Sequence, residues 1–364
     1  MTWFIDRLDV HQDFEPNSVP VVGEKMLDVS NLATGEWEKS SPTSLVLTSD
    51  ATSILLRCDG TRVSISGNPS HWGRIDNLYG FQTIEEAMGV YNSILEQFNL
   101  PPFKRCERHW FRQGEDGKHA GVVVDGAVIT RIDWTRNLSV GRNNEQHFIR
   151  ALSTMTVGRG RKPYLYQDGN TTDWGRGSTW RYVKIYNKTF DLERNRRRKL
   201  KNATPEAEAY YDRLIDYCRT CGIVREEHEF KRQFLAKNNM RFWGWFDEER
   251  FYEYLTDIEE IMHRLDIEAF DYVMVADQLL EREIVKTRQA ANATQNYALA
   301  WLHGNNFERN SQFYVHRRRL LKLGIDIGVR FDASRTPNPQ IKFVRPVNVS
   351  VAEPPPWYQL PAAA

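Results

Sequence analysis

Two Asp-Gly pairs constrain this chain more than any other local feature: Asp59-Gly60 in SILLRCDGTRVSISG (53–67) and Asp125-Gly126 in GVVVDGAVITRID (121–133). Both stand between apolar, β-branched runs. Asp-Gly readily takes the positive-φ conformation of a two-residue hairpin turn, so each stretch predicts an antiparallel hairpin. Helix signals fall between and after them. In TIEEAMGVYNSILEQFNLPP, Thr83 and Glu86 form a capping box, Ala87, Tyr91, Ile94 and Phe98 line one face, and Pro101 follows the end. NNEQHFIRALSTM also reads as a helix. Thr204-Pro205 opens another, whose apolar stripe runs through Ala207, Tyr211, Leu214, Cys218 and Cys221 to Gly222. RYVKIYNK (181–188) and IVREEHEF (223–230) read as strands. Hairpin, helix, hairpin, helix, strand, helix, strand predicts an α+β fold, an antiparallel sheet flanked by helices.

Beyond RFWGWF (241–246) the texture changes. Residues 247–296 read as helical and acidic, with a stripe of Phe251, Tyr254, Ile258 and Met262. NYALAWLHGNNFERNSQFYVHRRRLLKLGIDI then reads as helix, short Gly-Asn-Asn turn and basic helix, the outline of a helix-turn-helix. The Pro-rich SVAEPPPWYQLPAAA predicts an extended, loosely ordered tail. The expected division is a core over 1–245, a mostly helical C-terminal domain over 246–345, and a tail over 346–364.

A chain of 364 residues that is 41% hydrophobic and 27% charged is ordinary for a soluble globular protein. No apolar run reaches membrane length and no signal peptide is evident, which excludes a membrane partner and predicts a cytoplasmic protein. Four cysteines make no disulfide framework. Cys218 and Cys221 form a lone C-x-x-C on an apolar helix stripe, so they read as core rather than as a zinc site. The formal charge of +1 does not announce a nucleic-acid partner, but its distribution is uneven. Acidic residues gather in the C-terminal third, and basic ones in the middle, notably RNRRRKLK (194–201), which suggests a polyanion-facing surface.

Three strands alternate with period two. Val183 and Ile185 face one way; Tyr182, Lys184, Tyr186 and Lys188 face the other. In AVITRIDWT, Arg131 and Asp133 alternate with Ile132 and Trp134. In IVREEHEF, Arg225, Glu227 and Glu229 share one face; Val224, Glu226, His228 and Phe230 share the other. If these strands are neighbours, Asp133, Glu227 and Glu229 meet Lys184, Tyr186 and Lys188 on one surface. Such carboxylates can hold Mg²⁺ or Mn²⁺ through oxygen, and a tyrosine beside that ion can act as a nucleophile for phosphoryl transfer. A free phenol with a pKa of about 10 is only about 0.1% ionised at neutral pH. Lysines two residues away, roughly 6.5 Å along the strand, would favour its anion. The same residues could equally form cross-strand Lys–Glu ion pairs.

RIDWT (131–135), WGRGSTWRYVKIYNK (174–188) and IVREEHEFKR (223–232), in that order, resemble the filamentous-phage gene II/gene X replication initiators and the related initiators of Gram-positive rolling-circle plasmids. ISGNPSHWGRIDNLYG (65–80) and the opening WFIDRLDVHQDF resemble the phage branch. The resemblance implies a rolling-circle nicking core that cuts one strand of a duplex origin. It implies a tyrosine joined to the 5′ phosphate and a 3′-OH left as primer. By motif position the nucleophile is Tyr186, with Lys188 as the motif lysine and Lys184 beside it. Asp133 and Glu227 would be ligands of Mg²⁺ or Mn²⁺, with Glu229 a further one. The plasmid branch often has a second acid where this chain has Asn137, so metal ligation would rest on fewer acids or recruit one from elsewhere, such as Asp6 or Asp9. Gly175, Arg176 and Ser178 keep part of the motif before the tyrosine strand. The DNA-facing set would be Arg131, Arg176, Arg181 and Arg225, with Arg196, Arg197 and Arg198 in the basic run and Arg317 and Arg318 in the last helix. Implied partners are origin DNA, duplex and nicked, and the host helicase and polymerase in a bacterial cytoplasm. None of the nine histidines has the one-residue spacing with which other initiators hold their metal.

Two rivals remain at this point. His316 and Arg319 match the H-x-x-R of tyrosine recombinases, with Tyr358 downstream. Alternatively, the chain is a non-catalytic phage origin-binding or repressor protein that uses the helix-turn-helix.

Overall fold

The first Asp-Gly hairpin forms as predicted. Strands Thr52–Asp59 and Arg62–Gly67 pair across it, Gly60 takes φ +91°, and Asp59 accepts the backbone N–H groups of Thr61 and Arg62. The second does not form. In the computed structural model, which describes residues 3–50, 52–114, 119–158, 160–201, 203–245, 248–265, 275–332 and 349–362, His119–Val124 pairs instead with His109–Gln113 as a separate ribbon. Asp125 accepts the N–H groups of Glu107 and Arg108 at 2.9 and 3.0 Å. Gly126 lies so close to the preceding loop that a Cβ would stand 2.6 Å from the Cys106 nitrogen. This Asp-Gly is therefore a corner pinned to residues 104–108, and the strand after it, Val128–Ser139, leaves for the main sheet.

That sheet has eleven strands among the described residues. Its central order is Thr171–Trp174, Arg181–Asn187, Ile223–Lys231, Val128–Ser139, Phe4–Asp13, Arg62–Gly67 and Thr52–Asp59, each antiparallel to its neighbour. One face is apolar. Leu8, Val10, Ile132, Trp134 and Phe230 pack with Tyr91 and Ile94 of helix Ile84–Gln97, whose Thr83–Glu86 capping box is present. Further along, Val183, Ile185 and Val224 pack with Phe148 and Leu152 of helix Glu145–Leu152. The other face is polar. One end of it is roofed by helices Lys188–Lys199 and Pro205–Cys221, through Leu192, Tyr211, Leu214 and Cys218 against Phe4, Tyr79 and Ile223.

The apolar face buries one charged cluster. Arg136 Nε donates to Glu226 at 2.7 Å and its Nη1 to Glu259 of helix Asp257–Leu265 at 2.6 Å, while His228 Nε2 lies 2.5 Å from Glu226. Burial pushes the Glu226 carboxyl up, but Arg136 and His228 outweigh it and hold the group ionised. A buried pair broken on one side leaves an uncompensated charge. Glu226→Ala is thus expected to cost about 3–5 kcal/mol in urea unfolding; a loss below about 1 kcal/mol would show that Glu259 alone satisfies Arg136.

The C-terminal region is helical, but the continuous stretch expected over 247–296 is interrupted at 253–256 and 282–287, between helices Glu249–Tyr252 and Asp257–Leu265 and between Val275–Glu281 and Arg288–Leu302. Residues 266–274 of that stretch lie outside the described residues, and Ser311–Leu321 follows. The later ones share an apolar cluster of their own, including Leu279, Trp301, Phe313 and Leu320. Residues 303–310 join the last two helices, longer than the short turn predicted. The tail is not loose. Ser350–Val351 pairs with Leu138–Ser139, and Tyr358 is buried with its hydroxyl donating to Asp76 at 2.6 Å. No helix among the described residues is long and apolar enough to cross a membrane.

Candidate active site

The three polar-faced strands are neighbours: Arg181–Asn187 pairs with Ile223–Lys231, which pairs with Val128–Ser139. Register sets Lys184 opposite Glu227, Tyr186 opposite Arg225 and Asp133 opposite Glu229. Side chains then converge. Tyr186 Oη donates to Glu227 Oε1 at 2.7 Å, and Lys184 Nζ lies 2.7 Å from Glu227 Oε2. The same ammonium sits 4.5 Å from the Tyr186 ring centroid. Burial pushes the phenol well above its ordinary value, and the Glu227 charge adds to the shift. Burial raises Glu227 too, but Lys184 and Arg225 hold it ionised. The result is a protonated phenol aimed at a carboxylate that can accept its proton.

Lys188 reaches this phenol differently from the expectation. It is not on the strand but the first residue of helix Lys188–Lys199, because Asn187 takes the N-cap and accepts the N–H of Phe190. It is 1% exposed, with Nζ 2.9 Å from Asp191, 3.4 Å from Asn77 Oδ1 and 5.6 Å from the Tyr186 ring centroid. Burial alone would raise Asp191, but Lys188 draws its pKa down to about 2. Asn77 in turn donates to Asp6 at 3.0 Å, and Asn68 donates to the same oxygen at 2.7 Å. Asp9 is paired instead with Arg7 at 2.9 Å.

Asp133 is gripped by both arms of Arg131, at 2.9 and 2.8 Å. Arg131 also reaches Glu229 at 2.8 Å, and Lys231 holds Glu229 from the other side at 3.2 Å. Burial pushes the Asp133 carboxyl up to about 7; Arg131 opposes this, while Glu229 and Glu227 add to it. Asp6, Asp133 and Glu227 line one cleft of about 720 Å³ with Lys184, Arg198 and Lys199. Among the described residues no three acids, imidazoles or thiols are close enough to form a metal cage. The donor chemistry nevertheless fits a hard divalent cation. Asp133 and Glu227 are oxygen donors on one cleft, and a cation would offset both the burial and the lesser repulsion from Glu229 and Glu227 that raise Asp133.

The arginines divide. Arg176 is exposed, paired with Asp173 at 2.8 Å and lying over the rings of Tyr164 and Tyr166 at 4.0 and 4.8 Å. Arg197, Arg198 and Arg318 are exposed, whereas Arg196 is tied to Asp212 at 2.7 Å. Three expected on a DNA-facing surface are not there. Arg225, roofed by helix and loop, donates to the carbonyls of Asn77 and Leu78 at 2.7 and 2.6 Å. Arg181 points to the apolar side, 2.8 Å from Asp257 and 2.6 Å from His228 Nδ1. Arg317 clasps Asp326 at 2.7 Å and the Thr156 hydroxyl at 2.6 Å. Asn137, at the position where the plasmid branch often has a second acid, is buried and donates to the Leu78 carbonyl at 2.6 Å. Gly175 needs its φ of +82°, since a Cβ would meet the Arg181 carbonyl at 2.8 Å, and Ser178 accepts the N–H groups of Trp180 and Arg181. Both shape the turn into the tyrosine strand.

The recombinase grouping does not assemble. His316 is buried against the Thr294 hydroxyl and stacked on Tyr297 at 4.2 Å, while Tyr358 is bonded to Asp76. Asn68, Asn77, Asp191 and Lys199 were not anticipated at the site. The Asn187 N-cap signal would have turned Lys188 and Asp191 onto one helix face. Asn68 and Asn77 carry no such local signal.

Comparison with known proteins shows the family of the chain. The family of the N-terminal region of the phage gene II replication-associated protein matches residues 5–249, and the family of its C-terminal region matches residues 279–364. The gene II replication-associated protein of Escherichia phage If1 is 35% identical over 310 residues, covering 83% of this chain and 96% of that protein. A solved rolling circle replication initiator protein from Geobacillus stearothermophilus is 12% identical, covering 66% of this chain and 78% of its own, with a TM-score of 0.26, a likeness too remote to carry weight. Matched in order by both family regions, and by one relative over most of its length, the chain belongs to the phage gene II replication-associated protein family.

Proposed function

We propose that this protein initiates rolling-circle DNA replication by nicking one strand of a duplex origin and holding the 5′ phosphate on Tyr186. The observation that carries the reading is the Tyr186 hydroxyl 2.7 Å from Glu227, with Lys184 and Lys188 against its ring. Glu227 takes the phenolic proton as the tyrosine oxygen forms its bond to phosphorus. The bond from phosphorus to the 3′ oxygen breaks, and that oxygen leaves as a hydroxyl with a proton from solvent. Rejoining is the reverse: a 3′-OH attacks the phosphotyrosine and Tyr186 recovers its proton. Lys184 and Lys188 offset the charge that gathers on the phosphate.

Asp133 and Glu227 would hold Mg²⁺ or Mn²⁺, which when bound supplies Lewis-acid stabilisation of the phosphoryl oxygens. Arg198 and Lys199 line the same cleft and suit phosphates beside the scissile one. Residues 1–245 would carry this chemistry, and the helices of 246–345, through exposed Arg318, would help seat duplex origin DNA. A 3′-OH primer is of use only with a helicase to part the strands and a polymerase to extend it, so host enzymes are the implied partners.

Incubation with supercoiled DNA carrying its own origin, plus Mg²⁺, is expected to give nicked circles with protein on the 5′ end, and EDTA should prevent both. Tight binding with no covalent adduct under these conditions would leave only the non-catalytic origin-binding reading.

A further inference from the structure

A second cavity lies at the opposite end of the polar sheet face. It has a volume of about 500 Å³, and four guanidiniums line it, those of Arg62, Arg112, Arg232 and Arg241. Among the described residues only Arg62 of the four is neutralised, by Asp13 at 2.5 and 2.8 Å. Among the described residues no carboxylate pairs with Arg112, Arg232 or Arg241. Burial and the charge of Arg232 both depress the Arg241 guanidinium. His11, on the same wall, is held down to about 4 by burial and by Arg62 and so adds no charge of its own. Like charges brought together around a hollow, three of them without a paired carboxylate among the described residues, are stabilised by an anion.

The place of the cavity says which anion. His11 and Asp13 follow Arg7 and Asp9 on one face of strand Phe4–Asp13. Ser64 and Arg62 stand opposite them on the neighbouring strand. Arg7 is opposite Asp133 and lines the catalytic cleft. At about 3.4 Å per residue, the cavity lies about 14–20 Å along that strand from Arg7. This is the span of about four to six phosphates of a B-form strand. The cavity and the cleft are two positions on one polar track.

We infer that this arginine-lined cavity binds the phosphate backbone of the DNA several nucleotides from the phosphate that Tyr186 attacks. The inference rests on the nicking reading for its choice of ligand, but not for its test. Arg232→Gln with Arg241→Gln, and separately Arg112→Gln on the exposed ribbon, are compared with wild type. Fluorescence anisotropy of a labelled origin duplex is measured over a salt series, and Tyr186 adduct formation is scored in the same samples at saturating protein. Each lost contact should flatten the slope of log K against log[salt] by about 0.9, hence by about 1.8 in the double variant, while adduct formation persists. The Arg→Lys pair at 232 and 241 should keep the wild-type slope. If the double variant loses its thermal unfolding transition, the Arg112→Gln slope decides.

Unchanged slopes in folded variants overturn the site. Calorimetry with inorganic phosphate covers the small-anion alternative: tight phosphate binding lost in the double variant, with the DNA slope unmoved, also overturns it. A wild-type protein that forms no adduct, while the slopes still shift as expected, removes the nicking chemistry and supports the cavity.

Discussion

Tyr186→Phe is expected to abolish the nick and the 5′-linked adduct together, with stability and DNA affinity nearly retained. The ring and the strand propensity stay, and the hydroxyl makes one bond, to Glu227 at 2.7 Å. A bond of that kind is worth about 0.5–1.5 kcal/mol net, and Glu227 keeps its ion pair with Lys184. What goes is the atom proposed to attack phosphorus, and water cannot supply a covalent enzyme intermediate. Tyr182→Phe is the matched control. Tyr182 lies on the same face four residues earlier, opposite Glu229, and its hydroxyl bonds Asp173 at 3.0 Å. It should nick and form adduct as wild type does. Denaturing gels with end-labelled origin DNA read both variants, and peptide mapping of a trapped adduct names the residue. A nucleotide on any tyrosine other than Tyr186 defeats the assignment.

Asp133→Asn and Glu227→Gln are each expected to lower the nicking rate by orders of magnitude while binding of intact DNA survives. Lewis-acid stabilisation is worth several kcal/mol, and each 1.36 kcal/mol in the barrier is about tenfold in rate. The two should differ in kind. Asp133→Asn keeps an oxygen donor and loses its charge, so raising Mg²⁺ or Mn²⁺ should recover part of the rate. Glu227→Gln also removes the acceptor of the Tyr186 proton and the partner of Lys184, so added metal should recover little. Initial rates over a metal titration separate them. Normal nicking by both variants in Mg²⁺ would rule out a carboxylate-held metal.

Much of the site was legible because strand alternation is a local property. Period two alone put Tyr186 with Lys184, Glu227 with Glu229 and Asp133 with Arg131 on common faces. The Thr83–Glu86 box, the Thr204 cap and the Gly222 stop were equally local and stand where they were read. Lys188 was misplaced by the same reasoning carried one residue too far. Alternation does not announce its own end, and the capping side chain of Asn187 ended the strand.

What the chain by itself determined is which side chains share a face and where helices begin and stop, since both follow from backbone geometry over a few residues. What only the tertiary structure decided is who meets whom. The Asp125-Gly126 turn became a corner because residues 104–108 offered its backbone and carboxylate better partners than a hairpin would. Arg225 left the polar surface because two helices and the loop at 77–78 roof that end of the sheet, and a buried guanidinium must find acceptors. The Pro-rich tail docked because Tyr358 could bury its ring and still satisfy its hydroxyl on Asp76. Each of these outcomes turns on a contact between residues far apart in sequence, and on the cost of leaving a buried polar group unpaired, which no local pattern records.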